Sequence, residues 1–255
     1  MPLESNYGAL LIKNGVPIGY GISIIFFDRC EIAINIFDSF RSGEASSIFE
    51  HFVRVFYHHF GARNFLMRRW QVGFENDEGI KSGSYWFYYK LGFRSIAPAV
   101  DELAKSQWHK IRLDKNYRSD KKTLEKLALS DMHWSASGGG EPYEELSVIK
   151  LGLAVTDTIA REFDGDRGQA LSQSSRLVQK SLAVSSLDWP PLERQQFERF
   201  APMFYMTGDL AIWTDSEKNA LIEIIRAKAA PTEIGYIGLL QKHRRLEAAL
   251  RKIAQ

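Results

Sequence analysis

Strand patterns in this chain are confined to its first 98 residues, and this asymmetry constrains the fold more than any other feature. Before Pro98, β-branched and aromatic residues form short runs bounded by turn residues, which is typical of strands. From Val100 onward, apolar residues recur every three or four positions, which is typical of amphipathic helices. We therefore predict an α/β (α+β) N-terminal half with a mixed sheet (1–98), and an all-α helical C-terminal half (99–255) with a linker near 135–142.

Three antiparallel strands are predicted at the start of the chain. An apolar run at 9–12 is followed by Asn14-Gly15, a dipeptide that favours a tight hairpin turn. The β-branched run at 18–27 predicts the second strand. Residues 31–37 alternate between isoleucine and other residues, which predicts a third strand with one apolar face.

A helix and a fourth strand follow the meander. Residues 44–60 place Phe52 and Phe56 on one apolar face at helical spacing. Residues 64–71 predict the fourth strand, and a strand–helix–strand connection of this size implies a parallel pair with a crossover helix. A short aromatic helix at 84–91 is then expected to end at Gly92.

The second half contains helical patterns separated by proline, glycine and serine. They cover residues 100–113, 121–129, 143–163, 167–184, 191–205, 216–229 and 232–253. Asp215 is the predicted cap of the helix that follows it. The three glycines 138–140 lack the Lys-Ser/Thr of a P-loop, so they predict a flexible linker.

Composition excludes several classes of protein. A hydrophobic fraction of 45% and a charged fraction of 25% are typical of a globular chain, and a net charge of +2 is too small to indicate a nucleic-acid surface. The single cysteine, Cys30, excludes an internal disulfide framework. No apolar run reaches the roughly 18 residues of a membrane span, and no signal peptide is predicted, so we expect a cytoplasmic protein. His51, His58 and His59 lack an acidic partner at metal-ligand spacing, and no metal site is predicted.

The segment between the third strand and the first helix has the composition of a phosphate site. Small residues let the backbone approach an anion closely, and the free N–H groups of the first helical turn point at it. The residues expected to hold the phosphate are Arg41, Ser42, Gly43, Glu44, Ala45 and Ser46.

This order of elements, with the signature Phe87-Tyr88-Tyr89-Lys90-Leu91-Gly92-Phe93, resembles the GNAT superfamily of acyl-CoA N-acyltransferases over roughly residues 7–97. The resemblance implies acetyl-CoA or another acyl-CoA as substrate, with direct transfer to an amine acceptor in a ternary complex. It implies that the segment 41–46 binds the pyrophosphate and that Phe37, at the end of a splayed strand, donates a backbone N–H to the thioester carbonyl. It also implies that Tyr88 is the general acid beside the sulfur. The family's usual first strand and two helices have no counterpart here.

Glu31 on the third strand is the candidate general base, ahead of Asp28 and Glu44. Structural interpretations remain open beside these roles. Tyr88 is equally consistent with a core aromatic residue, Glu31 with a solvated residue after a turn, and Gly43 with close helix–sheet packing.

Two functional interpretations follow, and a third is more distant. The first is an acyl-CoA-dependent N-acyltransferase whose amine acceptor the sequence does not identify. The alternative is a degenerate GNAT-like module in a binding or scaffolding protein, which recruits a protein partner through its helical half. A nucleic-acid-binding protein is the distant third, because it rests only on short basic clusters such as Arg68-Arg69.

Overall fold

Six strands form one mixed sheet in the computed structural model, which describes residues 3–40, 43–138 and 143–255. The order of the strands across the sheet is β1-β2-β3-β4-β6-β5. The strands are β1 (Ser5–Lys13), β2 (Val16–Phe26), β3 (Arg29–Ile36), β4 (Asn64–Met67), β5 (Arg94–Ser95) and β6 (Met132–Ser135). β2 and β3 are antiparallel, β3 and β4 are parallel, and β6 is antiparallel to both β4 and β5. The predicted mixed sheet and opening meander are confirmed.

The turn between β1 and β2 is formed by Asn14 and Gly15, as predicted. Both residues have positive φ angles, 51° and 79°. Left-handed conformation at both central positions is what a two-residue hairpin of this kind requires, and asparagine and glycine adopt it at least cost.

Helix α1 (Ala45–Phe60) crosses from the end of β3 to the start of β4. Phe49, Phe52 and Phe56 form its buried stripe. The helix ends at Gly61, whose left-handed φ of 67° lets its N–H bond the Phe56 carbonyl. The predicted crossover helix and parallel pair are therefore confirmed.

The close approach of β2 to β3 leaves no room for a side chain at Gly19, so Gly19→Ala is expected to destabilise the protein by about 2 kcal/mol. A Cβ atom there would lie 2.3 Å from the Asn35 carbonyl oxygen, and a paired backbone cannot move aside as a side-chain tip can. Gly8→Ala in β1 is the matched control, because its Cβ would meet nothing within 4 Å. Urea unfolding measures the free energy of unfolding of both variants. Equal losses of stability in the two variants would contradict the close approach of β3 to Gly19.

Four further helices complete the sheet unit, which covers residues 6–143. They are α2 (Asp77–Ser82), α3 (Ser84–Lys90), α4 (Pro98–Leu113) and α5 (Lys121–Leu127). The predicted aromatic helix is α3, and Gly92 follows it with a positive φ of 99°. The fourth strand is shorter than predicted, because the chain turns into a 3-10 helix at Arg69–Val72.

The expectation that no strand follows Val100 was wrong. β6 lies between β4 and β5, so the sheet is completed by residues well beyond the predicted boundary at 98. Four residues are too few to show a strand period, and β6 owes its conformation to pairing on both sides. The compact sheet unit ends near Tyr143, and residues 139–142 of the predicted linker lie outside the described residues.

The helical unit contains residues 144–255 together with the first residues of the chain. Its helices are α6 (Val148–Glu162), α7 (Arg167–Leu182), α8 (Pro191–Tyr205), α9 (Asp215–Ala227), α10 (Ile234–Lys242) and α11 (Arg244–Ile253). The helical C-terminal half is confirmed. Thr214 rather than Asp215 caps α9, in a reciprocal capping box with Glu217.

The helix predicted over residues 232–253 is broken at His243. The Nδ1 atom of His243 accepts a hydrogen bond from the backbone N–H of Leu246, 3.1 Å away, and so caps α11. Its Nε2 lies 2.9 Å from the carbonyl oxygen of Glu217. His243 therefore ends α10 and begins α11 by capping the new helix and bonding to α9. Helical periodicity alone does not reveal such a break.

Candidate functional site

The N-terminus of α1 lies just beyond the carboxyl end of β3. A 3-10 turn (Asp38–Phe40) leads into Gly43, whose φ is 76°, and Glu44 precedes the helix without a side-chain cap. Among the described residues, a Cβ on Gly43 would meet no atom within 4 Å, so the backbone borders open space on that side. The uncapped N–H groups of the first turn, including those of Ala45 and Ser46, are the donors that an anion binds.

The charge beside this helix N-terminus is already balanced. The carboxylate of Glu44 forms an ion pair with the ammonium group of Lys13 at the end of β1. Without that pair, a carboxylate in this position would repel an incoming phosphate. Arg41 and Ser42 of the predicted phosphate segment lie outside the described residues.

Tyr88 is a buried residue of α3 that packs against the start of α1. Its ring centroid lies 5.5 Å from that of Phe49 and 6.1 Å from that of Phe93. Burial raises the pKa of its phenol far above the ordinary range, and no described residue accepts or donates a hydrogen bond at its hydroxyl. Tyr88 therefore keeps its proton and has an unused donor close to the first turns of α1.

The parallel pair β3–β4 is short, and the two strands part at what we call the β3–β4 divergence. Pairing covers only three positions, the last joining Glu31 to Leu66. β3 continues to Ile36 and stays paired with β2, whereas β4 ends at Met67. Open sheets bind ligands outside the carboxyl ends of parallel strands, and the N-terminus of α1 lies at this same end.

Gln71 lies at the divergence and was not predicted as a site residue. Its buried side-chain amide donates to the carbonyl oxygen of Ile32 at 3.2 Å, one residue beyond the last paired position. The amide thus takes over a backbone acceptor that β4 no longer reaches. No sequence motif marks Gln71, because its partner lies 39 residues away.

The proposed role of Phe37 needs a correction. Its backbone N–H donates to the carbonyl oxygen of Ile18 at 2.9 Å, because pairing with β2 extends past the end of β3. That N–H is therefore not available to a thioester. Since N–H groups alternate along a strand, Ile34 directs its N–H toward the β4 side, where no described residue is paired with it.

Glu31 is held by a charge network. Its carboxylate accepts from Arg68 Nε at 2.8 Å, and Arg68 also donates to Asp131 at 2.9 Å. Asp131 in turn accepts the backbone N–H of Arg69 at 2.7 Å. In the sequence Arg68 belongs only to a short basic cluster with Arg69, whereas the structure makes it the centre of a partly buried network.

Glu31 and Tyr88 lie on opposite faces of the sheet. Cys30 is paired with Phe65, whose ring belongs to the aromatic layer that contains Phe93 and Tyr88. Successive residues of a strand point to opposite faces, so Glu31 points away from that layer.

A second polar chain, which the sequence did not predict, lies on the face of Glu31. Asn64 donates to the Asp28 carboxylate at 3.0 Å, and its carbonyl oxygen is 2.9 Å from His133 Nε2. The ring of Tyr143 stacks on His133 with centroids 4.0 Å apart. Burial lowers the pKa of His133 to about 4, so the imidazole is neutral near pH 7. The Asn64 carbonyl oxygen is an acceptor, which suits the tautomer with a proton on Nε2.

Within the described residues, no three or more histidine, cysteine, aspartate or glutamate side chains are grouped so as to hold a metal ion. No helix in that part of the chain has the length and apolarity needed to cross a membrane. No protein-family model, curated protein or solved structure matches this chain.

Proposed function

We propose that the sheet unit is an acyl-CoA-dependent N-acyltransferase. The observation that carries the proposal is the β3–β4 divergence, because it lies at the carboxyl end of a parallel strand pair whose crossover helix begins there uncapped. That arrangement suits a ligand with a phosphate group at one end and a slender arm that enters the sheet. CoA has this form.

The pyrophosphate of CoA is assigned to the first turn of α1. The N–H groups near Ala45 and Ser46 donate to it, and the open space at Gly43 lets it approach the backbone. Lys13 neutralises Glu44, so the carboxylate of Glu44 does not oppose the anion. Arg41 remains a predicted contact.

The acyl thioester is assigned to the divergence, with its carbonyl oxygen near the Ile34 N–H. The amine nitrogen attacks the carbonyl carbon, the C–N bond forms, and the C–S bond breaks with its electrons on sulfur. Tyr88 transfers its phenolic proton to the departing sulfur, which leaves as the free thiol, and the tyrosine is then reprotonated from water. Glu31 stays the candidate for accepting the amine proton, from the opposite face.

The alternative, a degenerate module in a binding protein, is favoured by one observation. The Gln71 amide already occupies the Ile32 carbonyl at the divergence and is buried there. A thioester arm in this place would have to displace or border that side chain. A module that has lost CoA binding would leave the helical unit as the interacting part, with a protein partner.

Calorimetric titration with acetyl-CoA and with free CoA tests the proposal. We expect micromolar binding, weakened at least tenfold in Gly43→Trp because an indole would fill the space beside the first turn of α1. Gly165→Trp is the matched control, since Gly165 has a φ of 78° and equally open surroundings in the helical unit. Absence of binding up to about 1 mM would refute the enzyme and favour the binding module.

A further inference from the structure

Helices α6, α7 and α8 line a pocket of about 800 Å³ that is open to solvent on one side and plays no part in acyl transfer as proposed above. Its lining residues are Val155, Thr156, Ile159, Arg167, Leu171, Arg199, Pro202 and Met203. All of them belong to the helical unit. The volume is within the range of about 300–1,000 Å³ typical of pockets that bind small organic molecules.

The apolar part of the lining is contributed by all three helices. Val155 and Ile159 come from α6, Leu171 comes from α7, and Met203 comes from α8. Pro202 lies inside α8 and has no N–H of its own, so it presents only a rigid apolar ring. A surface of this kind favours a flexible hydrocarbon chain.

The polar part of the lining is cationic. Arg167 and Arg199 are both exposed, and none of the described lining residues is a carboxylate. In the parts of the chain that the structure describes, neither guanidinium has an ion-pair or hydrogen-bond partner. Two other arginines of this unit form ion pairs, Arg226 with Glu193 and Arg245 with Asp209, each at 2.6 Å.

We propose that this pocket binds a single-chain fatty acid. The hydrocarbon tail lies on the apolar side chains of the three helices, and the carboxylate is held by Arg167 and Arg199. The planar guanidinium fork matches a carboxylate in two parallel hydrogen bonds, which gives the headgroup its orientation. Charge complementarity between an anionic headgroup and two unpaired arginines at an apolar pocket is the basis of the assignment.

Calorimetric titration of the full chain with decanoate tests this assignment, with decan-1-ol and butyrate as the comparison ligands. Decanoate is expected to bind saturably and at least tenfold more tightly than either. Decan-1-ol lacks the charge that the arginines bind, and butyrate lacks the chain that the apolar residues bind. Equal binding of decan-1-ol, or no saturable binding of decanoate, would overturn the proposal.

Variants locate the site. Arg167→Gln combined with Arg199→Gln is expected to weaken decanoate binding at least tenfold, and circular dichroism should be unchanged because both side chains are exposed. Arg176→Gln is the control, since Arg176 is an exposed arginine of α7 outside the pocket lining. Unchanged binding in the double variant would remove the arginines from the site. Acyl-CoA is absent from these titrations, so their result is independent of the proposed acyl transfer.

Discussion

Tyr88→Phe is expected to lower acyl transfer about 100-fold while leaving the affinity for CoA unchanged. The substitution removes one oxygen from a buried ring and keeps the ring contacts with Phe49 and Phe93. No described residue bonds the hydroxyl in the free protein, so its loss costs no internal hydrogen bond. A fall in turnover therefore reports the missing donor to the leaving sulfur rather than a disturbed fold.

Release of free thiol from acetyl-CoA, with spermidine, glucosamine and a lysine peptide as trial acceptors, measures this effect. Tyr89→Phe is the matched control, because Tyr89 is the next residue of α3 and equally buried but contacts Trp86 and Trp108 instead. We expect its turnover to stay within about twofold of the unmodified protein. Full activity in Tyr88→Phe would refute the assigned role.

Arg68→Met is expected to reduce the free energy of unfolding by about 3 kcal/mol. The substitution leaves the carboxylates of Glu31 and Asp131 facing each other without their shared cation. The three side chains are only 21–25% exposed, so water compensates the loss incompletely. Removing one partner from such a network lowers the free energy of unfolding by more than the intact network contributes to it, because the charges that remain are unpaired.

Urea unfolding followed by tryptophan fluorescence gives the measurement. Lys121→Met is the control, since Lys121 also bridges two carboxylates, Asp77 and Glu125, but all three side chains are more than half exposed. It should cost less than about 1 kcal/mol. Adding Glu31→Gln and Asp131→Asn to Arg68→Met should restore most of the stability. A loss that persists in this triple variant would contradict the electrostatic explanation.

Local patterns predicted most of the elements near the start of the chain. The Asn14-Gly15 turn, α1 and the parallel pair that it connects follow from signals within a few residues of each other. Such signals are strong because side-chain period and turn conformation act over short distances. The helices of the second half were recognised for the same reason. The bounds of α8 are those predicted, whereas the break at His243 was not predicted.

Site residues were predicted less completely, because their surroundings come from distant segments. Tyr88 and the start of α1 were recognised from motifs, and the structure brings them together through Phe49. Arg68, which holds Glu31 from 37 residues away, was noted only as part of a short basic cluster. His133 and its partner Asn64 are 69 residues apart and carry no motif.

The sequence by itself determined the α/β half, the helical half and the identity of the chemical groups near α1. Periodicity and turn residues are properties of neighbouring positions, so they can be recognised in the sequence alone. Only the tertiary structure decided that β6 completes the sheet, that the Phe37 N–H is already bonded, and that Glu31 is paired with Arg68. Strand order, backbone pairing and charge partners depend on which distant segments come into contact. Those contacts are determined by the packing of the whole unit.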